Sequence, residues 1–183
     1  MDHYIDIRVK PDPEFGQTEL LNALFAKLHR VLPSVTEGRV GISFPLYGKS
    51  LGSCLRLHGS LPDLQHLLAN NWRQGLRDYT QVQGPEVVPP TARYRTVRRI
   101  QSKSAHNKRQ RSIAKGWLTE QQALQSIPDS QQKVIKLPYV ELLSLSTRSR
   151  MRVYIEHGPL TDTPVYGQFN AYGLSATATI PWF

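Results

Sequence analysis

The chain has 183 residues, of which 39% are hydrophobic and 20% are charged. This composition is typical of a globular protein with one large or two small domains, and it excludes collagen-like and disordered chains. No apolar run approaches the ~18 residues that span a bilayer, and the N-terminal segment lacks the apolar stretch of a signal peptide, so we expect no membrane partner. The single cysteine, Cys54, excludes internal disulfides and cysteine-based zinc sites and fits the reducing environment of the cytoplasm.

The positive charge is concentrated in the second half of the sequence. Residues 1–92 carry nine basic and nine acidic side chains, whereas residues 93–183 carry fourteen basic and five acidic ones and hold the whole net charge of +9. From Arg93 to Lys115 there are nine basic residues and no acidic residue. A basic stretch of this kind beside a neutral half predicts a polyanionic partner, the alternative being a solvated charged face.

The periodicity of apolar residues predicts alternating strands and helices in the first half. The predicted elements are a strand at His3–Val9, a helix at Thr18–Leu32 closed by Pro33 and Gly38, strands at Arg39–Pro45 and Leu55–Gly59, a helix capped by Ser60, and a strand at Tyr79–Val88. This β-α-β-β-α-β order predicts a ferredoxin-like domain, an arrangement that RNA-recognition modules also use.

A group of prolines marks a domain boundary, which divides the chain into 1–92 and 93–183. The group consists of Pro85, Pro89 and Pro90. The second domain is predicted to be α+β. Its predicted elements are a basic strand or arm at Arg93–Lys103, a basic helix at Ser104–Lys115 stopped by Gly116, a helix opened by a capping box at Thr119 and ended by Pro128, and β-like segments at Tyr139–Ser146, Met151–His157 and Phe169–Phe183.

Motifs for metals and phosphate-bearing cofactors are absent from the sequence. The five acidic residues of the basic half are scattered through separate predicted elements, whereas a two-metal nuclease needs several converging carboxylates. No D-x-D, H-x-H or H-E-x-x-H spacing occurs, and neither glycine-rich phosphate-binding motif is present. We therefore expect no metal and no cofactor.

Histidine is the remaining candidate for acid–base chemistry at neutral pH. RNA supplies its own nucleophile, the 2′-hydroxyl, so one well-placed base beside a phosphate can suffice for cleavage. On a helical wheel His29 lies about 80° from Leu21, at the edge of the apolar stripe, so that a buried scaffold holds the residue while its ring can face a groove. The alternative is a half-exposed histidine without a role.

Other polar residues are suited to contacts with nucleic acid. Hydroxyl groups beside arginines can hold a phosphate and stabilise charge that develops on it, or they can simply satisfy the backbone of a turn. Such a cluster is formed by Ser144, Ser146 and Thr147. Arg99 and Gln101, two residues apart on a predicted strand, should point the same way and could read guanine and adenine. Tyr172 is either a core aromatic or a hydrogen-bond donor to a base or a histidine.

Several longer motifs run from one end of the chain to the other. They are M-D-H-Y-I-D-I-R with P-D-P-E-F at the start, K-L-H around His29, Y-R-T-V-R-R-I-Q-S-K-S at 94–104, S-L-S-T at 144–147, H-G-P-L at 157–160, Y-G-L-S at 172–175 and P-W-F at the close. In these motifs the sequence resembles the CRISPR-associated endoribonucleases of subtype I-F, which cut precursor CRISPR RNA at each repeat hairpin. The resemblance implies a ferredoxin-like N-terminal domain and a C-terminal RNA-binding domain whose basic helix lies in the major groove of the hairpin.

The resemblance also implies a role for each candidate residue. His29 matches the catalytic histidine, Ser144 the catalytic serine that orients the attacking ribose, and Tyr172 a tyrosine that positions the histidine. For RNA contacts, Arg99 and Gln101 match the pair that reads two purines at the base of the stem, and Ser146 and Thr147 match phosphate contacts. Further contacts with RNA phosphates are expected from Lys103, Lys108, Arg109, Arg111 and Lys115.

The implied reaction needs no metal. The 2′-hydroxyl attacks the scissile phosphate and leaves a 2′,3′-cyclic phosphate and a 5′-hydroxyl, with neutral His29 acting as general base or helping to neutralise the transition state. Similar enzymes retain the mature guide RNA and remain a subunit of the CRISPR surveillance ribonucleoprotein complex, an antiviral defence system.

Two positions depart from the family pattern. The basic helix is one residue shorter, with Ser112 and Gly116 where further arginines are expected. Met151 stands where the family can present an aromatic side chain that stacks on the terminal base pair, and methionine stacks less strongly. We expect hairpin specificity to change at these positions while the chemistry stays the same.

Two rival functions fit the charge distribution. A non-catalytic RNA-recognition module would need aromatic side chains exposed on the first sheet, and Leu55–Gly59 offers no such string. A DNA-binding architectural protein would bind duplex DNA as tightly as an RNA hairpin at matched salt.

Overall fold

The computed structural model describes residues 1–101, 105–129, 135–143 and 149–183. These residues form a mixed α/β structure with antiparallel sheets and four helices. They divide into two compact units, one made of 1–99 with 137–183 and the other of 100–136. The boundaries of these two units differ from the predicted boundary between the functional domains 1–92 and 93–183. The functional domains stay a prediction.

A four-stranded antiparallel sheet forms the base of the first unit. Its strands, in spatial order, are β2 (Gly41–Ser43), β3 (Cys54–Gly59), β1 (His3–Val9) and β4 (Thr80–Val87). Ile5, Ile7 and Val9 of β1 are buried as the alternating pattern predicts. All four strands of the first half are therefore confirmed, although β2 is shorter than predicted.

Two helices belong to this unit, α1 (Gln17–Thr36) and α2 (Leu61–Ala69). The predicted end of α1 at Leu32 is wrong, because the helix continues through Pro33. The Thr36 hydroxyl donates to the carbonyl of Leu32 at 2.8 Å, and the N–H of Glu37 donates to the carbonyl of Pro33 at 3.3 Å. These bonds, together with burial of Leu32 and Thr36, hold the last turn. The Ser60 cap of α2 is confirmed, since its hydroxyl accepts from the N–H of Asp63.

A buried ion pair interrupts the apolar sheet. Asp6 of β1 lies opposite Arg56 of β3, and the two side chains form a bidentate pair with N···O distances of 2.6 and 2.9 Å. The guanidinium carbon also lies 4.6 Å from the centroid of the Tyr4 ring and 4.2 Å from that of the Phe183 ring. Both charged groups are more than nine-tenths buried, so each depends on the other for compensation of its charge.

The remaining strands form two smaller sheets. β5 (Arg93–Arg95) pairs with β9 (Ile180–Trp182), and β6 (Val97–Ile100), β8 (Arg150–His157) and β7 (Tyr139–Leu143) form a three-stranded sheet in that order. The β-like segment predicted at Phe169–Phe183 is largely wrong, because only Ile180–Trp182 of it forms a strand. Asn170 and Gly173, which has φ +71°, turn the chain before that point.

The second unit contains two short helices, α3 (Ala105–Ala114) and α4 (Glu120–Ser126). Gly116, with φ +68°, follows the end of α3, and the capping box of Thr119 and Gln122 opens α4, as predicted. Ser104, the predicted cap of α3, lies outside the described residues. In the described part of the chain, none of the helices has both the length and the apolarity that crossing a bilayer requires.

Candidate active site

His29 lies at the border of the buried face of α1. The buried residues of this helix are Leu20, Leu21, Leu24, Phe25, Leu28, Leu32 and Thr36. His29 comes next to this stripe and is half-buried. Its Nδ1 lies 3.3 Å from the carbonyl oxygen of Phe25, one helical turn earlier. Because a carbonyl oxygen only accepts, Nδ1 carries the proton of the neutral ring, and the lone pair is on Nε2.

Burial also determines the charge state of this imidazole. Desolvation lowers the pKa of His29 below its usual 6.5, the hydrogen bond to the Phe25 carbonyl acts in the opposite direction, and the positive charge of Arg30 adds to the lowering. The ring is therefore neutral at pH 7. A neutral imidazole with an accessible lone pair is a suitable general base.

The phenol ring of Tyr172 packs against this histidine. The centroids of the two rings are 5.6 Å apart, with 16° between their planes. Phe25 extends the group, since its ring lies 6.2 Å from each of the other two and nearly parallel to both. The stack restricts rotation of the imidazole about its side-chain bonds.

A tight turn holds Tyr172 in this place. The side-chain oxygen of Asn170 accepts from the N–H groups of Tyr172 and Leu174, at 2.9 and 3.3 Å. Gly173 adopts a left-handed conformation between them, and a Cβ atom there would lie 2.7 Å from Cγ2 of Ile42. Glycine therefore allows the turn to approach β2 closely.

Arg99 joins the same group of side chains from β6. Its guanidinium carbon lies 5.1 Å from the centroid of the Tyr172 ring, and its Nη2 lies 3.6 Å from Sδ of Met151 on the neighbouring strand β8. Four sequence-predicted site residues are thus connected by direct contacts in one unit. In order of contact they are Met151, Arg99, Tyr172 and His29.

Five other residues are predicted from the sequence to belong to the site. Lys103, Ser144, Ser146 and Thr147 lie outside the described residues. Gln101 is exposed and comes one residue after the end of β6, so the strand that was predicted to carry both Arg99 and Gln101 ends between them. The roles predicted for these five side chains stay predictions.

The basic side chains of the second unit have different surroundings. Arg109 is largely buried, and it donates to the Ile127 carbonyl at 2.8 Å and pairs with Asp129 at 2.9 Å. It therefore connects α3 to the end of α4. Arg111 is exposed and Lys108 is half-buried. The ammonium of Lys115 lies 4.3 Å from the exposed ring of Trp117.

Sequence reasoning missed three of these contacts. The acceptor role of Phe25 has a detectable signal, because residues four apart on a helix share a face. The contacts of Arg109 with α4 and of Met151 with Arg99 join elements whose proximity no local pattern reveals. Among the described residues, no three histidine, cysteine, aspartate or glutamate side chains are close enough together to hold a metal ion.

Comparison with known proteins identifies full-length relatives. The family model described as CRISPR-associated protein (Cas_Csy4) matches residues 4–183. The chain is 48% identical over 184 residues to the CRISPR-associated endonuclease Cas6/Csy4 of Escherichia coli (strain UTI89 / UPEC). It is 45% identical over 187 residues to a protein of the same name from Pseudomonas aeruginosa (strain UCBPP-PA14). Both alignments cover 100% of this chain and 100% of the relative.

Proposed function

Since this chain belongs to the Cas_Csy4 family of CRISPR-associated proteins, we propose that it is an endoribonuclease that cleaves precursor CRISPR RNA at the base of the repeat hairpin. The observation that carries the proposal is the neutral imidazole of His29, half-buried and stacked on Tyr172. The excess of basic residues after position 92 supports an RNA partner.

The proposed reaction is an intramolecular transesterification, in which the phosphate exchanges its bond to the 5′ oxygen for a bond to the neighbouring 2′ oxygen. Nε2 of His29 takes the proton of the 2′-hydroxyl on the nucleotide before the cut, and the 2′ oxygen attacks phosphorus. The P–O5′ bond breaks, the departing oxygen takes up a proton from water, and the His29 imidazolium releases its proton to water, so the products are a 2′,3′-cyclic phosphate and a 5′-hydroxyl. No water is consumed, and the charge that develops on the phosphate can be stabilised by hydrogen-bond donors alone.

Other residues would orient the substrate around this base. Ser144 is proposed to orient the attacking ribose, and Ser146 and Thr147 to contact the scissile phosphate. Tyr172 is proposed to restrict rotation of the His29 imidazole, and the nearly parallel packing of the two rings supports this role. The proposed phosphate contacts are Lys103, Lys108, Arg109, Arg111 and Lys115. Among them Arg109 already has protein partners, so its contact with RNA requires sharing or exchanging them.

Base recognition is proposed for Arg99 and Gln101. A guanidinium can donate two parallel hydrogen bonds to O6 and N7 of guanine, and a carboxamide can pair with N6 and N7 of adenine. The side chain of Met151 would contact the terminal base pair of the stem. Packing of the Arg99 guanidinium on the Tyr172 ring supports a connection between base recognition and the catalytic base.

The proposed architecture follows from the same family membership. A ferredoxin-like domain at 1–92 would carry His29, and a basic domain at 93–183 with its basic helix would bind the hairpin. The strand order β2-β3-β1-β4 with antiparallel pairing supports the first assignment. The protein is further proposed to retain the mature guide RNA as a subunit of a surveillance ribonucleoprotein complex.

The deciding experiment is incubation of the protein with repeat RNA in EDTA, followed by analysis of the fragment ends. We expect one cut at the base of the hairpin, with a 2′,3′-cyclic phosphate and a 5′-hydroxyl. His29→Ala should lower the rate by about 10²–10⁴-fold and leave hairpin binding almost unchanged. His66→Ala, which alters an exposed ring on α2, is the matched control.

Two further substrates separate the proposal from its rivals. A 2′-deoxy nucleotide before the cut should block cleavage, and continued cutting would mean that water is the nucleophile. Tight binding without any cleavage would favour a non-catalytic RNA-recognition module. Equal affinity for duplex DNA at matched salt would favour an architectural DNA-binding protein.

A further inference from the structure

Two contacts of the Arg99 guanidinium bear on its orientation. The guanidinium carbon lies over the Tyr172 ring, 5.1 Å from the ring centroid. Sδ of Met151 approaches the edge, 3.6 Å from Nη2. Met151 is half-buried and packs against the hydrophobic core, so its sulfur has a stable position from which to accept.

These two contacts restrict different motions of the guanidinium. Attraction to the Tyr172 ring holds the guanidinium over the ring face, and an acceptor at Nη2 limits the directions in which the N–H groups of that nitrogen can point. Because the guanidinium is rigid and planar, fixing one N–H direction also fixes the directions of the others. Bidentate recognition of guanine depends on two parallel N–H groups with a defined direction.

We propose that Met151 is a positioning residue for Arg99, and that its thioether sulfur strengthens the preference for guanine at the base that Arg99 reads. This inference rests on the proposed function, since it concerns the base-reading role of Arg99. It assigns to the sulfur a role that an apolar side chain of the same size cannot perform. Thioether sulfur is a weak acceptor, and leucine offers none.

Replacement of the sulfur should therefore reduce base selectivity more than overall stability. Ordering one long side chain in advance changes affinity by about three- to tenfold. Met151→Leu keeps the apolar volume, and we expect it to raise the Kd of a hairpin with guanine at the read position by this factor. The Kd of the same hairpin with adenine at that position should change less. Met151→Gln, whose carboxamide oxygen can accept from Nη2, should restore much of the preference.

Fluorescence anisotropy with uncleavable RNA measures these constants. The hairpins carry a 2′-deoxy nucleotide before the cut, so wild type and variants are compared without turnover, and thermal unfolding verifies that each variant is folded. Equal preference for guanine in wild type and Met151→Leu would overturn the proposal. A wild type without any preference would instead show that Arg99 does not read guanine, which is a failure of the proposed function itself.

A second measurement needs no RNA. The chain has two methionines, Met1 and Met151, so a sample labelled with ¹³C at the methionine methyl groups gives two assignable NMR signals. Arg99→Lys removes Nη2, and we expect it to shift the Met151 signal and leave the Met1 signal in place. An unchanged Met151 signal would show that the contact does not exist in solution, and the proposal would fall whatever the binding data are.

Discussion

The backbone N–H of Ile42 donates a hydrogen bond of 2.9 Å to the carbonyl of Gly173. This bond ties the turn that carries Tyr172 to β2. The same turn brings the Tyr172 ring within 5.6 Å of the His29 ring. A residue near the C-terminus thus orients a side chain on the first helix, and the accuracy of that contact depends on how closely the turn approaches the sheet.

Gly173→Ala tests this dependence. The left-handed conformation alone should cost about 1 kcal/mol of unfolding free energy, and the contact of the new Cβ with Ile42, at 2.7 Å, should add to that cost and lower the cleavage rate. Gly75→Ala is the matched control, because Gly75 has a similar φ of +78° and no atom within 4 Å of its added Cβ. Urea unfolding and single-turnover cleavage measure both effects. Equal activity of the two variants would show that the turn does not position Tyr172.

The acid limb of the pH–rate profile for cleavage should reflect the lowered pKa of His29. The base works in its neutral form, and because burial lowers its pKa below 6.5, the rate should rise with pH and reach half of its maximum at a pH below 6.5. Arg30→Ala removes a charge that lowers this pKa, so the limb should move to higher pH. Lys27→Ala, on the same helix, is the comparison. A single-turnover pH profile with an unchanged limb in Arg30→Ala would contradict this account.

Asp6 and Arg56 should be essential to stability. Asp6→Asn keeps the shape of the side chain but leaves the guanidinium buried without its counter-charge, so we expect a loss of about 3 kcal/mol in unfolding free energy. Arg8→Ala is the control, because Arg8 also approaches Asp6, at 3.7 Å, but is exposed and should contribute well under about 1 kcal/mol. Chemical denaturation measures both. Similar losses of unfolding free energy in the two variants would mean that the buried contact of Asp6 with Arg56 contributes no more to stability than the exposed contact with Arg8.

Acid should weaken the fold through His157. Burial, with a smaller contribution from the charge of Arg95, lowers the pKa of His157 to about 4, and the ring stacks on Tyr47 with centroids 3.9 Å apart. Below the unfolded value of 6.5 the unfolded chain binds a proton that the native ring does not accept. Unfolding free energy should therefore fall as pH drops from 6.5 towards 4, by about 3 kcal/mol from this group.

His157→Gln isolates that contribution. The variant loses ring contacts at every pH, but its unfolding free energy should depend less steeply on pH between 6.5 and 4 than that of wild type. His106→Gln, which alters an exposed ring on α3, is the comparison. If unfolding free energy depends equally on pH in wild type and in His157→Gln, the His157 ring takes up its proton at the same pH in the folded and in the unfolded chain.

Local patterns predicted the regular elements well. The alternation in His3–Val9, the Ser60 cap and the capping box at Thr119 each depend on residues within one turn or one strand, and the structure confirms all three. Errors arose where distant contacts compete with local preference. Burial of the last turn of α1 extends the helix through Pro33, and the turn that begins at Asn170 interrupts the last predicted β-like segment.

The candidate site was less predictable than the fold. The position of His29 beside an apolar stripe identified it as a candidate, since helical periodicity is a local property. Nothing local connects it with Arg99 or Met151, which lie on other strands. The contact of Tyr172 with His29 depends on Gly173 approaching Ile42, and such an approach exists only when the core is packed.

The order of residues was therefore sufficient for the partition of charge, most helices and strands, and the family resemblance, because each of these is carried by neighbours along the chain. Folding added the neutral state of His29, the pairing of Asp6 with Arg56, and the contact series from Met151 to His29. These properties arise from desolvation and from distances between remote segments, and both come into existence only when the segments pack together.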